Sequence, residues 1–265
     1  MTRLAHDRYV DEIARQVAQV RDVVTSGADL SAPVPTCPDW RLEELVCHLG
    51  GALRWVAATV AGRAQEAVPH DEVPEIAGPA PGSAPAVLDT WFAHSGRLVV
   101  DALREAGPDT EVWAWADDRS SGFWARRMAH EITVHRADAT LAAELPYEVA
   151  PDIAADAIDE GLELVEWAQR NTAHDPARDL RGPDRSIHLH ATDAPPGLDA
   201  EWLIRLDEDG VRHSRGHARA TVALRGPLTS VLLAFYRRLP LDRPELVIVG
   251  ERGVLEFWLA RTAFG

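Results

Sequence analysis

The chain contains no lysine, so all 27 of its basic residues are arginines, and 42 Asp and Glu residues outnumber them. The formal net charge is −15 at pH 7. A chain this acidic repels phosphate backbones and anionic headgroups, and it has no cluster of five or more basic residues that could act locally. We therefore expect neither nucleic acid nor a membrane surface to be a partner.

Cysteines and long apolar runs are also scarce. The two cysteines, Cys37 and Cys47, are expected to be free thiols in a reducing compartment. No apolar stretch reaches ~18 residues, and the first seven residues do not resemble a signal peptide. These absences predict a cytoplasmic protein without a transmembrane helix. The lack of lysine beside abundant Ala, Val, Asp and Gly is typical of a high-GC bacterial genome.

The sequence does contain enough apolar material for one large domain or two ordinary ones, with 265 residues of which 46% are hydrophobic. Apolar residues at helical spacing predict helices over about 10–27, 39–62, 86–105, 121–143 and 151–169. Asp39 is the expected N-cap of the second helix, and a loop rich in Pro, Gly and Ala is expected at 66–86.

A polar stretch at 174–185 predicts a linker, after which the pattern changes to short alternating segments. These predict strands at 186–192, 202–206, 220–224 and 245–249, and helices at 228–238 and 254–263. The predicted fold class is therefore α+β. A helix bundle would occupy 1–178, and a small α+β domain would occupy 179–265.

The strongest candidates for chemistry lie at 126–138, in the fourth predicted helix. Glu131 and His135 are one turn apart and share a face with Trp124 and Met128, so we expect both to point into the bundle. A glutamate facing a core is costly unless it is paired or bound to a metal. A Glu and a His one turn apart form a recurring half of metal sites in helical bundles.

A third ligand has to come from another helix, and His48, at the edge of the apolar stripe of the second helix, is the best candidate. Two histidines and one carboxylate leave open positions on a metal, as catalytic sites do. Asp138, three residues after His135, could accept the second ring N–H of that histidine. Spacing alone leaves open, and favours, the alternative of a solvated or hydrogen-bonded pair without metal.

Weaker candidates occur elsewhere. His188 and His190 lie on one face of a predicted strand, which indicates either a second metal site or, as the favoured interpretation, an exposed strand face. Cys37 and Cys47 are interpreted as structural cysteines, not as nucleophiles.

Two signature-like segments occur in order along the chain. The first is Pro-Thr-Cys-Pro-Asp-Trp at 35–40 with Leu-Val-Cys-His-Leu-Gly at 45–50, and the second comprises 127–131 and 134–138. They resemble the signatures of the mycothiol-dependent maleylpyruvate isomerase family, although Asp39 stands where that family often has glycine. Segments that resemble the family's small C-terminal domain are 226–228, 238–240 and 249–252.

The resemblance implies a DinB-like metal-binding four-helix bundle, with an added helix in this chain, in which His48, Glu131 and His135 hold a divalent metal. Zinc is the expected metal, with nickel, iron or manganese as alternatives. The implied cosubstrate is mycothiol, a small thiol of high-GC Gram-positive bacteria. A metal-activated thiolate would add to a small electrophilic, maleylpyruvate-like substrate. Rotation and elimination would give isomerisation, whereas retention of the adduct would give thiol S-transfer.

Arg238 is the candidate for holding a substrate carboxylate, against the alternative of a surface charge at a helix C-terminus. Two other functions stay open: metal-dependent hydrolysis by bound water, and metal or thiol binding without catalysis. Activity without thiol would favour the first, and tight thiol binding without turnover the second. The expected partners are a small thiol and an electrophile, bound by a monomer or a homodimer.

Overall fold

The computed structural model describes residues 3–182 and 184–262, which form two compact units divided between Tyr147 and Glu148. Pro183 of the predicted linker and Ala263 of the last predicted helix lie outside the described residues. The secondary structure confirms the predicted α+β class. None of the described helices is long and apolar enough to cross a membrane.

The described part of the first unit contains four α-helices, which confirm the first four predicted helices to within a few residues. They are α1 (His6–Thr25), α2 (Leu42–Ala61), α3 (Pro85–Ala106) and α4 (Ser121–Ala142). Local sequence explains their starts: proline suits the first turn of α3, and the Ser120 hydroxyl caps α4 by accepting a hydrogen bond from the Phe123 amide.

The helix α4 is buried on almost every side, although it carries many polar residues. Its Arg136 reaches α1, where its Nε donates to the side-chain oxygen of Gln16. The guanidinium of Arg136 also lies 4.2 Å from the ring centroid of Tyr147, whose hydroxyl donates to the Thr133 carbonyl at 2.9 Å. Burial of this polar surface is tolerated because its groups are paired.

A two-stranded antiparallel hairpin, which was not predicted, precedes α2. Its strands are β1 (Pro33–Val34) and β2 (Cys37–Arg41). Asp39 lies within β2, so the prediction that it caps α2 was wrong. The N-cap is Arg41, whose backbone N–H donates to the Glu44 carboxylate at 2.7 Å.

The predicted loop between α2 and α3 is present, and it contains one short 3-10 helix at His70–Glu72. Hydrogen bonds tie it to the neighbouring helices. The indole of Trp55 donates to the Val68 carbonyl at 2.8 Å, and that of Trp91 donates to the Glu75 carbonyl at 3.0 Å.

The second unit contains a five-stranded sheet in the order β5-β4-β3-β6-β7, in which β3 and β6 are parallel and the other pairs are antiparallel. The strands are β3 (Arg185–Ala191), β4 (Glu201–Asp207), β5 (Gly210–Arg215), β6 (Val222–Gly226) and β7 (Val247–Gly250). The helices are α5 (Pro151–Asn171), α6 (Leu228–Phe235) and α7 (Arg252–Leu259). The strand β5 was not predicted.

Helix α5 packs within the second unit, whereas the sequence placed it with the bundle and the boundary at 178. Its Asp159 accepts hydrogen bonds from the Trp202 indole at 2.8 Å and from Arg215 at 2.6 Å. The hydroxyl of Tyr236 donates to the Ala157 carbonyl at 2.8 Å. Amphipathicity predicts that a helix buries one face, but not which surface it meets, and this explains the difference.

Candidate metal centre

The helices α2 and α4 bring His48, Glu131 and His135 to one place in the first unit. Glu131 Oε1 lies 3.5 Å from His48 Nε2 and 3.3 Å from His135 Nε2. One potential ligand atom from each side chain lies within 4.8 Å of the other two. Three residues that sequence reasoning selected as metal ligands are thus neighbours in the fold.

Asp138 contacts the ring nitrogen of His135 that does not face Glu131, so the contact expected between these two residues is present. His135 Nδ1 lies 2.8 Å from Asp138 Oδ2, and the Asp138 side chain has no exposed surface. The hydroxyl of Thr36 donates to the other Asp138 oxygen at 2.5 Å. A carboxylate on the second ring nitrogen fixes the tautomer and the orientation of a histidine, leaving Nε2 to face a metal.

The hairpin β1–β2 supplies the neighbours that sequence reasoning did not place at the site. The Trp40 ring lies 4.6 Å from the His48 ring and 6.3 Å from the His135 ring, between centroids. Cys37 Sγ lies 3.9 Å from Asp138 Oδ2. The signature at 35–40 contains these residues, but its periodicity gave no sign that the segment folds back as a strand.

The charges of the site favour an ionised carboxylate. Burial disfavours the charged form of Glu131, but hydrogen bonds from His135 and His48 and the charge of Arg127 hold its pKa well below the usual value. The Arg127 guanidinium lies 3.1 Å from Glu131 Oε2.

Burial alone would lower the pKa of His135, but its hydrogen bonds to Asp138 and Glu131 outweigh that effect and raise it to about 9. A metal ion has to displace the proton that this ring carries at neutral pH.

These three side chains fit a divalent transition metal. Bonds of about 2.0–2.1 Å in a tetrahedral zinc site separate neighbouring ligand atoms by roughly 3.3–3.4 Å. The separations of Glu131 Oε1 from the two imidazole nitrogens, 3.5 and 3.3 Å, are close to that value. The His48 side chain is 39% exposed while that of His135 is 6% exposed, so the accessible side of the site lies at His48.

The remaining sequence candidates are not among these three ligands. Arg238, in the second unit, is buried and donates from Nη1 to the Tyr236 carbonyl at 2.7 Å, so it is not a surface charge. Its role towards a substrate carboxylate stays a prediction. Cys37 and Cys47 form no disulfide among the described residues, and burial raises the pKa of Cys47, which opposes its ionisation.

Family models match both units of the chain. The mycothiol maleylpyruvate isomerase N-terminal domain matches residues 10–140, and the MDMPI C-terminal domain matches residues 152–257. The chain belongs to the mycothiol-dependent maleylpyruvate isomerase family. The second family domain begins at the start of α5, in agreement with the division between Tyr147 and Glu148.

Solved structures from the family have a similar fold. A crystal structure of the mycothiol-dependent maleylpyruvate isomerase has a TM-score of 0.59 and 14% identity, over 95% of this chain and 97% of that chain. A variant of that isomerase with one histidine replaced by alanine has a TM-score of 0.60 and 15% identity over the same shares. At such identity the likeness shows the fold alone. No curated protein sequence matches the chain.

Proposed function

We propose that this chain is a metal-dependent enzyme that uses mycothiol to isomerise, or to transfer a thiol to, a small electrophilic, maleylpyruvate-like substrate. One observation carries the proposal: His48, Glu131 and His135 converge from two helices in a member of this family. The site is built in the first unit, and its donor set of two imidazoles and one carboxylate suits zinc.

The metal would supply Lewis acidity, which lowers the pKa of a bound thiol so that a thiolate exists at neutral pH. Three protein ligands leave a coordination position for that thiol. Neighbouring residues of the chain orient the ligands and shape the access to that position. Asp138 fixes the His135 ring, and Arg127 holds the second oxygen of Glu131. Trp40 covers one side of His48, whose remaining exposed surface admits the thiol.

The isomerisation needs no oxidant and no net proton transfer. The sulfur of mycothiol forms a bond to an electrophilic carbon of a substrate double bond, and the resulting single bond can rotate. Breaking the same carbon–sulfur bond restores the double bond and returns the thiol. If the adduct is retained and protonated on carbon instead, the product is a thioether, and the activity is thiol S-transfer.

Metal content measured by mass spectrometry on the purified wild type and on Glu131→Ala tests the first step. We expect Glu131→Ala to lose one equivalent of zinc that the wild type retains, because the variant lacks the ligand between the two imidazoles. Glu105→Ala is the matched control, since Glu105 is an exposed glutamate on α3. Equal zinc content in all three proteins would contradict the assignment of the ligands.

Turnover is then measured with zinc-loaded protein, with and without mycothiol. The proposal predicts conversion of maleylpyruvate, or formation of a thioether, only when mycothiol is present. Turnover of esters or amides without thiol would instead identify a metal-dependent hydrolase. Binding of mycothiol without turnover across a panel of electrophiles would identify a non-catalytic thiol-binding protein.

A further inference from the structure

Three histidines surround one carboxylate oxygen in the second unit. Glu201 Oε2 lies 2.9 Å from His188 Nε2, 2.9 Å from His190 Nδ1 and 2.7 Å from His217 Nδ1. The three imidazole rings lie 5.1–5.9 Å apart, between centroids. One ligand atom from each of the four side chains lies within 4.8 Å of the others.

The sheet builds this cluster from adjacent strands. His188 and His190 are two residues apart on β3 and therefore share a face of the sheet. Glu201 is the antiparallel partner of His190 on β4, which places the carboxylate beside that face. After β5, the Gly216 amide donates to the Glu201 carbonyl at 3.0 Å and brings His217 to the same point. The residues are separated by up to 29 positions in sequence, so only strand pairing unites them.

The sequence favoured an exposed strand face for the two β3 histidines, and the structure shows this to be wrong for His188. The side chain of His188 is 5% exposed and that of His190 is 19% exposed. His188 Nε2 and His190 Nδ1 are buried atoms whose contacts of 2.9 Å with Glu201 Oε2 are poorly oriented for hydrogen bonds. Buried polar atoms without well-oriented hydrogen bonds are costly and call for an explanation.

We propose that His188, His190, His217 and Glu201 bind a zinc ion. Imidazole nitrogens with one carboxylate oxygen suit zinc and similar transition metals, whereas magnesium and calcium prefer oxygen ligands. Roughly tetrahedral coordination at about 2.0–2.1 Å requires ligand atoms about 3.3–3.4 Å apart. The three distances from Glu201 Oε2 to the imidazole nitrogens, 2.7–2.9 Å, therefore have to widen by about half an ångström. Coordination would give both buried nitrogens a well-oriented partner.

The four protein ligands fill a tetrahedral shell and leave no position for substrate, which makes this a structural site. The ion joins β3, β4 and the segment that follows β5, and it stabilises their pairing. The site is independent of the centre formed by His48, Glu131 and His135, because its ligands all lie in the second unit.

The test counts zinc in full-length proteins in which the first centre has been removed. Each protein is loaded with zinc alone and passed over a desalting column before mass spectrometry. His48→Ala is expected to retain one equivalent, and His48→Ala/His190→Ala none. His48→Ala/His174→Ala is the matched control, because His174 is an exposed histidine of the same unit, and it is expected to retain one equivalent.

His217→Ala protects the test against misfolding, because that side chain is 75% exposed and its removal leaves no cavity. In the His48→Ala background it is expected to weaken zinc binding at least tenfold while leaving the circular dichroism spectrum of the metal-free protein unchanged. X-ray absorption of the zinc bound by His48→Ala is expected to show imidazole ligands with one oxygen ligand.

Two results would overturn the proposal: His48→Ala that holds no zinc, or zinc that persists at one equivalent when His190 and His217 are each replaced. Failure of this second zinc site can be distinguished from failure of the proposed function. If the wild type and His48→Ala both bind one equivalent and His48→Ala/His190→Ala binds none, the second site stands and the first centre does not.

Discussion

Replacement of Asp138 by asparagine tests how the residue behind His135 controls metal binding. The carboxylate lies 2.8 Å from His135 Nδ1 and accepts the Thr36 hydroxyl, in a place without solvent exposure. Asparagine keeps the size and one acceptor oxygen but removes the charge. The substitution has two effects of opposite sign on the zinc affinity, and these effects depend differently on pH.

The first effect is loss of anchoring. A carboxylate on the second nitrogen of a ligand histidine orients the ring and increases its basicity. Losing such a partner costs about 10–100-fold in metal affinity, or about 1.4–2.8 kcal/mol. The second effect is relief from proton competition. With the pKa of His135 raised to about 9, its proton weakens zinc binding by roughly 100-fold at pH 7 in the wild type.

Asp138→Asn lowers the pKa of His135, so the competing proton leaves at a lower pH. At pH 7 the two effects offset, and we expect the zinc dissociation constants of variant and wild type to lie within about tenfold. At pH 9 only the loss of anchoring remains, and we expect zinc binding by the variant to be about 10–100-fold weaker. From pH 7 to 9 the wild-type affinity should rise by about tenfold per pH unit and that of the variant by less.

Competition with a chromophoric chelator, repeated from pH 6.5 to 9, measures both the affinity and its slope. Asp101→Asn is the control, because Asp101 is an exposed aspartate on α3. The same slope in Asp138→Asn and the wild type would refute the coupling between Asp138 and the proton on His135. Equal affinities at pH 9 would refute its anchoring role.

Two further predictions concern residues around the site and the core. Trp40→Ala should weaken zinc binding by about 2–10-fold, because it removes the ring 4.6 Å from His48, and such aromatic contacts contribute about 0.5–1.5 kcal/mol. Competition titration at pH 8 measures this loss. Arg136→Met should lower the free energy of unfolding of the metal-free protein by about 2–4 kcal/mol, as measured by urea titration. The reason is that the buried guanidinium donates a hydrogen bond to Gln16 and lies over the Tyr147 ring.

Matched variants define these outcomes. Trp40→Phe retains an aromatic ring and should stay within about twofold of the wild type in zinc affinity. Arg97→Met removes an exposed arginine from α3 and should change the unfolding free energy by less than about 0.5 kcal/mol. Trp40→Ala with unchanged affinity, or Arg136→Met no less stable than Arg97→Met, would show that the contact in question contributes nothing measurable.

Helices α1, α2 and α3 were predictable because each buries mainly one face at regular spacing. Val10, Ile13 and Val17 mark α1, and the predicted ends of α3 and α4 agree with the structure to within about a residue. The same geometry put Glu131 and His135 on one face. It also made His48 the best candidate for the third ligand, and the family signature supported the same choice.

The hairpin β1–β2 was missed for a physical reason. Its strands are short and contain prolines, so alternation of polar and apolar residues never develops over enough positions to indicate pairing. As a result the places of Thr36 and Trp40 at the site were not predictable, although both lie in the signature segment. Strand β5, which also went unpredicted, brings the chain to His217 and so completes the second histidine cluster.

The sequence by itself determined the α+β class, the helices of the first unit, most strands of the second, the family, and the pairing of Glu131 with His135. These features follow from local periodicity, from spacing within one helix, or from short motifs. Only the tertiary structure decided which unit α5 joins and which residues surround Asp138. It also gathered three histidines around Glu201. Those contacts join residues far apart in sequence, and they depend on which surfaces meet when the chain packs, which no local pattern encodes.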